Sequence, residues 1–286
     1  MEPDLVNPNG GSANAAVVKP KRPSNIWLII VAALFIIVPF LTWYGTWFGR
    51  DLSDEDIAKY LVDEQNPRHI QHALLQVEEK IERGDPTSKK FYPQIVSSAK
   101  SSHAEIRKTA AWVMGQDNRS EEFHGALLDL LKDSEPLVRR NAALQLVRFG
   151  DSSGRPELRA MLQSFEAKAP ISGSVVSLLA RGATIKSGGL LARVRDTSGN
   201  VQEFRSPVDG AINSLAVKEG DAVTAGQTVA LLTPDQATVN DALRALAYVG
   251  RKDDLPLVEP YAQSGARAET IQQAMATANA IGDRGK

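Results

Sequence analysis

The chain has 286 residues, of which 43% are hydrophobic, and its 33 basic and 34 acidic side chains give a formal charge of −1. This balance argues against a general nucleic-acid binder, which needs an excess of positive charge to contact phosphates. The absence of cysteine excludes disulfides, iron–sulfur clusters, thiolate zinc sites and a cysteine nucleophile.

The N-terminal part of the chain combines a polar tail with an apolar segment. Residues 1–25 are rich in Pro, Asn and Gly, which predicts a disordered tail. Residues 26–48 contain no charged side chain and would extend about 35 Å as a helix, more than the ~30 Å hydrocarbon core of a bilayer. Trp and Tyr occur near both ends, as at two membrane interfaces. We therefore predict a transmembrane helix rather than the alternative, a cleaved signal peptide, because no cleavage site follows.

The charges that flank residues 26–48 predict the orientation of this helix. Lys19, Lys21 and Arg22 precede the segment, whereas Arg50 is followed by several acidic residues. The excess of positive charge on the N-terminal side predicts a cytoplasmic N-terminus. The expected location is therefore the bacterial inner (plasma) membrane, with the C-terminal region in the periplasm.

A helical segment recurs along the remainder of the chain. Residues 106–114 (IRKTAAWVM) match residues 138–146 (VRRNAALQL) at an offset of 32, and residues 242–250 match residues 274–282 at the same offset. Alanines beside Leu, Met or Ile at i, i+1, i+4 and i+7 form a helix face that can approach a neighbour closely. With a companion helix before each copy, the pattern predicts a series of helical hairpins.

The motif I/V-R-x-x-A-A-x-x-L/M resembles the short bacterial type of HEAT repeat. The later copies depart from it, because Val239 and Ile271 are not followed by arginine. The resemblance implies an α-solenoid over residues 52–166 and 235–283, whose surface binds other proteins.

Residues 169–233 separate the two groups of helical repeats and have a β pattern. Short runs of Gly, Val, Ser and Leu alternate there, and residues 170–178 (PISGSVVSL) match residues 207–215 (PVDGAINSL) at an offset of 37. Two similar halves joined by a hairpin predict a compact, barrel-like β-sandwich.

Residues 206–232 (SPVDGAINSLAVKEGDAVTAGQTVALL) resemble the second half of a biotinyl/lipoyl domain, also called a barrel-sandwich hybrid. In that family, glycines of the repeated motifs occupy tight turns. The corresponding glycines here are Gly173, Gly182, Gly188, Gly210, Gly220 and Gly226. Carriers of the family attach their cofactor to a lysine at the tip of the central hairpin. Residues 193–204 form that hairpin here and contain no lysine, so we expect neither covalent biotin nor covalent lipoate.

The same fold without the lysine occurs in membrane fusion proteins, the periplasmic adaptors of efflux and secretion systems. Those proteins usually carry a long coiled-coil hairpin between the two halves, whereas this insert has about ten residues. A reduced membrane-fusion subunit is therefore the alternative function.

We assign no catalytic, cofactor-binding or metal-binding residues from the sequence, and an enzyme with an unrecognised site stays an alternative. No G-x-S-x-G motif or phosphate-binding loop occurs, and the pair His69 and His72 has no clear third ligand. Arg107 and Arg139 recur at the repeat spacing and, with the adjacent Arg140, are the predicted partner contacts. Intramolecular pairing of these arginines with Asp or Glu is the alternative.

Taken together, these patterns predict a mainly α fold with a β insert. Its parts are a disordered cytoplasmic tail (1–25), a transmembrane helix (26–48), HEAT-like repeats (52–166), a biotinyl/lipoyl-like domain (169–233) and further HEAT-like repeats (235–283). The expected function is a membrane-anchored, non-catalytic scaffold or adaptor of a cell-envelope complex. Its expected partners are other membrane or periplasmic proteins, without nucleic acid and without a cofactor.

Overall fold

The computed structural model describes residues 26–45, 51–263 and 267–284, and the side chains of the first range as far as Leu41. The predicted disordered tail, residues 1–25, and the last three residues of the predicted transmembrane segment lie outside this part of the chain. The chain divides after Arg50 into two compact units.

The first unit contains one described helix, α1 (Ile26–Gly45), which includes Pro39. The sequence predicts a transmembrane helix over residues 26–48, and this prediction is wrong. In the part of the chain that the structure describes, no helix combines the length and the apolar character needed to cross a membrane.

The second unit begins with a run of α-helices arranged as hairpins. These helices are α2 (Asp54–Tyr60), α3 (Pro67–Glu82), α4 (Tyr92–Ser98), α5 (Ala104–Met114), α6 (Glu121–Leu130), α7 (Pro136–Arg148) and α8 (Arg155–Met161). A 3₁₀ helix, Pro86–Phe91, precedes α4. Side-chain caps begin several of them, since Ser53 accepts a hydrogen bond from the Asp56 N–H and Ser120 accepts one from the Phe123 N–H.

Eight β-strands follow α8, and helices then resume. The strands are β1 (Phe165–Lys168), β2 (Gly173–Leu178), β3 (Thr184–Ile185), β4 (Leu190–Arg195), β5 (Val201–Arg205), β6 (Gly210–Leu215), β7 (Ala222–Val223) and β8 (Thr228–Pro234). The later helices are α9 (Gln236–Val249), a 3₁₀ turn (Lys252–Asp254), α10 (Leu255–Val258), a second 3₁₀ turn (Glu259–Ala262) and α11 (Ala268–Arg284).

The second helix of each hairpin packs against the second helix of the next. The successive contacts run from α3 to α5, from α5 to α7, from α7 to α9 and from α9 to α11. One apolar core extends from Ile57 to Leu146. A further core combines Leu158 and Met161, before the strands, with Leu243 and Ile281, after them. The helical array therefore continues across the β insert, which occupies the loop between α8 and α9.

The eight strands form two antiparallel four-stranded sheets around their own apolar core. The strand orders are β1-β8-β6-β3 and β5-β4-β2-β7. Because β1 pairs with β8, with Phe165 opposite Leu232, the chain enters and leaves this β module at adjacent points. The sequence places the start of the insert at Ala169, whereas the first strand begins at Phe165. Only Ala167 within this short strand is fully buried, so its four residues carry no extended apolar pattern in the sequence.

Two glycines of the repeated P-x-x-G motif lie at the start of strands rather than in the tight turns that the resemblance implies. A Cβ atom at Gly173 would lie 2.1 Å from the Arg195 carbonyl oxygen, and one at Gly210 would lie 2.5 Å from that of Thr233. Both positions therefore require glycine because a neighbouring backbone approaches closely. By contrast, Gly182, Gly188, Gly220 and Gly226 have positive φ angles.

Replacing Gly173 by alanine is expected to destabilise the β module by about 1–3 kcal/mol, because the strand backbone must move to admit the methyl group. The matched control is Gly125→Ala in α6, where a Cβ atom meets nothing within 4 Å. That control is expected to be neutral or to stabilise the helix by about 0.5–1 kcal/mol. Urea unfolding of both variants measures the difference, and equal stabilities would contradict the close-approach explanation.

Candidate functional site

Arg107 of α5 lies in a largely buried, bidentate ion pair. Its Nε donates to Asp133 Oδ2 at 2.6 Å, and its Nη2 donates to Oδ1 at 2.9 Å. Its Nη1 donates to the carbonyl oxygen of Ser101 at 2.9 Å. The arginine thus joins the loop that precedes α5 to the loop that precedes α7. Its ion pair with Asp133 therefore links two successive hairpins.

Arg139 occupies the equivalent position in α7 and repeats this arrangement with a different acid. Its Nη1 donates to the Asp133 carbonyl oxygen at 2.8 Å, and its Nε donates to Glu157 Oε2 at 3.0 Å. The repeat offset of 32 would place the next acid at position 165, but the chain has Phe165 there, the first residue of the β module. Glu157 of α8 therefore supplies the carboxylate that the next loop lacks.

Arg140 is buried beneath the β module, with 5% of its surface exposed. Its guanidinium lies over the Phe165 ring at 5.9 Å, and its Nε is 3.7 Å from Glu157 Oε1 without a hydrogen-bond partner. Burial lowers the pKa of Arg140, and the charge of Glu157 opposes this effect. The equivalent residue in α5 is Lys108, which is only half-buried. The insert is therefore what covers this arginine.

The structure thus places all three predicted contact residues in intramolecular interactions. A role of Arg107, Arg139 and Arg140 in binding a partner stays a prediction, and their described geometry corresponds to the alternative, internal pairing.

The Arg107–Asp133 pair predicts an acid-dependent loss of stability. Burial by itself raises the pKa of Asp133, but hydrogen bonds from Arg107 and from the Glu135 N–H outweigh it, so the pKa lies below the ordinary value. A carboxyl whose pKa is lower in the folded state stabilises the fold above its unfolded pKa of about 3.9, and this contribution disappears as the pH falls through the folded-state pKa.

We therefore expect Asp133→Asn to lower the free energy of unfolding by about 1.5–3 kcal/mol at pH 7, since a charge-assisted hydrogen bond is lost. The difference from the unmodified chain should shrink as the pH is lowered from 5 to 3, in guanidinium unfolding at each pH. Asp129→Asn is the control, because that side chain is 81% exposed. A difference that stays constant with pH would refute the assignment.

A second charge cluster, which the sequence does not predict, links the helices on the two sides of the insert. Arg155 donates from Nε to Asp254 Oδ2 at 2.7 Å, and Arg159 donates from Nη1 to Oδ1 at 2.6 Å. Asp253 pairs with the same two arginines from a more exposed position. Tyr261 also donates to the Leu162 carbonyl oxygen at 2.7 Å. Arg155 and Asp254 are 99 residues apart, so no local pattern signals this pairing.

Three of the four histidines, His69, His72 and His124, are partly or fully buried. His69 Nδ1 lies 2.5 Å from Asp63 Oδ2, and its ring stacks on Tyr60. His124 Nε2 lies 2.7 Å from Asp151 Oδ2, and burial lowers the pKa of His72. Within residues 26–45, 51–263 and 267–284, no cluster of three or more His, Cys, Asp or Glu side chains could hold a metal ion.

An apolar row occupies equivalent positions on three successive second helices. It consists of Leu75 of α3, Trp112 of α5 and Leu144 of α7. Leu75 and Trp112 are 44% and 42% exposed, and Leu144 is partly buried. Trp112 Nε1 donates to Glu78 Oε1 at 2.5 Å, which shows that the side chains of neighbouring helices meet along the row. The sequence offers a weak signal for it, since Trp112 and Leu144 share the 32-residue offset.

The β module lies beside the first turns of α5 and α7. A cavity of about 420 Å³ separates it from them and is lined by Lys108, Leu137, Glu203 and Pro207, among other residues. Trp112 and Leu144 lie further along these helices, outside the lining of that cavity.

Comparison with solved structures finds a limited likeness. A structure described as "Structure and function of a single-chain, multi-domain long-chain acyl-coa carboxylase" is similar over 35% of this chain, with 18% identity and a TM-score of 0.25. The similar region spans only 12% of that protein's chain. No curated protein matches the sequence.

The family described as HEAT repeats matches residues 92–169. This range contains α4 to α8, the helices that carry the Arg107 and Arg139 pairs. The match supports the assignment of this chain as a HEAT-repeat protein.

Proposed function

We propose that residues 51–286 act as a non-catalytic scaffold that binds other proteins along the row of second helices. The observation that carries the proposal is that the series of packed second helices continues from α7 to α9 across the β insert. The apolar core that joins Leu158 and Met161 to Leu243 and Ile281 keeps α7, α9 and α11 in one array. A continuous array offers a long surface, which suits recognition of a protein segment better than a small substrate.

The distribution of polar groups supports binding rather than catalysis. The arginines that recur at the repeat spacing are bound to carboxylates and carbonyl oxygens within the chain. Leu75 of α3 and Trp112 of α5 remain exposed, Leu144 of α7 is partly buried, and charged side chains lie near them. Such a surface matches the composition of protein interfaces, in which aromatic anchors carry much of the affinity.

The β module is proposed to be an unmodified biotinyl/lipoyl-like domain with a structural role. Support comes from its two similar halves, its two four-stranded sheets and the hairpin between β4 and β5. The tip of that hairpin is Asp196–Asn200, where Asp196 accepts hydrogen bonds from the Ser198 and Asn200 N–H groups. It offers no amine for a covalent cofactor. It is also too short for the helical arms of the alternative, a membrane-fusion subunit.

Crosslinking in the native host tests the scaffold proposal. The tagged full chain is crosslinked in intact cells and purified under denaturing conditions, and one or a few proteins are expected at near-stoichiometric yield. An unrelated tagged protein, expressed and crosslinked in the same host, serves as the control and should not recover these partners. Recovery of the chain without reproducible partners would refute the proposal.

Mass spectrometry of the intact chain tests the proposal that the β module is unmodified. The mass is expected to equal that of the sequence, and an added biotinyl or lipoyl group would refute the unmodified module.

A further inference from the structure

We propose that the apolar row binds an amphipathic, charge-segregated helical segment of a partner protein, with the basic end of that segment over α3. This inference rests on the scaffold function and specifies its binding site.

The row has a defined position in the repeats. Ala73 and Val77 of α3 correspond to Ala110 and Met114 of α5, all fully buried, and the same register places Leu75 at the position of Trp112. Leu144 follows at an offset of 32. The equivalent residues of α9 and α11 are a charged arginine, Arg244, and a small alanine, Ala276. Large apolar side chains at this position are therefore confined to α3, α5 and α7.

The α3 end of the row is acidic. Glu78, Glu79 and Glu82 follow Leu75 on the same helix face, and Glu79 pairs with Arg83. Burial raises the pKa of Glu78, the hydrogen bond from Trp112 opposes this rise, and the charges of Glu82 and Glu79 add to it. In residues 51–263, neither Glu78 nor Glu82 has an ion pair. A cation from a partner would relieve this repulsion.

The α7 end of the row is basic. Arg148 lies one turn after Leu144, is exposed, and has no ion pair within the described chain. The corresponding residue of α5 is the neutral Gln116, and that of α9 is Tyr248, which is 74% exposed. The charge along this edge therefore changes from negative at α3, through neutral at α5, to positive at α7. A complementary segment carries Lys or Arg at one end and Asp or Glu at the other.

The spacing of the row favours a helix as the bound element. Packed helices lie 8–10 Å apart, so the three side chains should span roughly 18 Å. Helix residues seven apart share a face and are about 10 Å apart along the axis. In an extended strand, a step of about 10 Å is three residues, and these point to opposite faces. An amphipathic helix of about four to five turns therefore presents apolar side chains to all three positions.

Binding of a synthetic peptide to the full chain tests this site. The probe is a fluorescein-labelled 18-residue helical peptide with Leu at positions 3, 10 and 17, Lys in the N-terminal half and Glu in the C-terminal half. The comparison peptide has the same composition with Lys and Glu interspersed. Fluorescence anisotropy is expected to show binding at least about tenfold tighter for the segregated peptide. Equal affinities, or no binding by either peptide, would overturn the proposal.

Variants of the protein assign the binding to the row. Trp112→Ala should lower the affinity for the segregated peptide at least about tenfold. Met275→Ala, which removes an exposed apolar residue of α11, should leave that affinity unchanged. Glu79→Lys with Glu82→Lys should also weaken it at least about tenfold. Adding Arg148→Glu to that pair reverses the charge gradient, and the peptide should then bind in the opposite direction with nearly restored affinity. Circular dichroism confirms that each variant is folded.

Failure of this inference is distinguishable from failure of the scaffold function. The proposed binding site is wrong if Trp112→Ala binds the peptide with unchanged affinity. It is also wrong if adding Arg148→Glu to the two Glu→Lys changes does not restore the affinity. Either result stands even when crosslinked partners persist. Absence of those partners from the unmodified chain would instead overturn the scaffold.

Discussion

Replacing Asp254 by alanine is expected to lower the free energy of unfolding by about 3–5 kcal/mol, because the change removes one side of a buried ion pair. The Asp254 side chain is 0% exposed. Its oxygens accept hydrogen bonds from the guanidinium groups of Arg155 and Arg159 and from the Arg251 N–H. The substitution leaves these donors without their main acceptor. Urea unfolding of the full chain, followed by circular dichroism, measures the effect.

Asp253→Ala is a matched control for this prediction. Asp253 pairs with the same two arginines, but its side chain is 66% exposed. Solvent screening limits such a pair to roughly 1 kcal/mol or less. If both alanine variants lose the same stability, the buried pair does not hold the two helical segments together.

Removal of the β module is expected to leave the helical array folded. Glu166 and Leu231 are opposite each other in the β1–β8 pair, so residues 167–230 can be replaced by the two-residue turn Asn-Gly. All the helices from α2 to α11 lie outside the deleted range. The helical signal per residue should rise, and the unfolding midpoint should shift by less than about 8 °C, equivalent to roughly 2 kcal/mol.

Truncation of the chain after Pro234 is the control for the deletion. It removes α9 to α11 and exposes Leu158, Met161 and Leu162, which are buried in the core shared with those helices. Each exposed side chain costs about 1.5–3 kcal/mol, so this shorter chain should unfold at a much lower temperature or aggregate. A deletion variant that loses its helical signal while the truncated chain keeps it would contradict a continuous array.

The sequence predicts the repeats better than the interactions between them. The alanine pairs at offsets of 32 indicate helical hairpins, and the match of residues 92–169 to HEAT repeats supports them. A helix face is a local pattern, because residues i, i+4 and i+7 lie together whatever the rest of the chain does. Which acidic residue pairs with each arginine depends on how the hairpins pack against each other. The same position therefore pairs with Asp133 in one repeat and with Glu157 in the next.

The N-terminal segment shows that composition alone does not determine the length of a helix. The absence of charge in residues 26–48 predicts a transmembrane helix, whereas no helix in the described part of the chain combines the length and the apolar character needed to cross a membrane. Composition indicates where an apolar segment lies, but the helix ends depend on hydrogen bonding that composition does not encode.

The sequence by itself determined the repeat period, the near-zero net charge, the internal repetition of the β insert and the lack of lysine in its hairpin. These properties are local or additive, so they require no knowledge of how segments pack. Only the tertiary structure decided that Arg155 meets Asp254 across 99 residues, that the insert buries Arg140, and that Trp112 of α5 donates to Glu78 of α3. Each of these depends on which hairpins stack side by side. The period of 32 does not extend to α3, where the offset to α5 is 37, or to α9, which follows the insert.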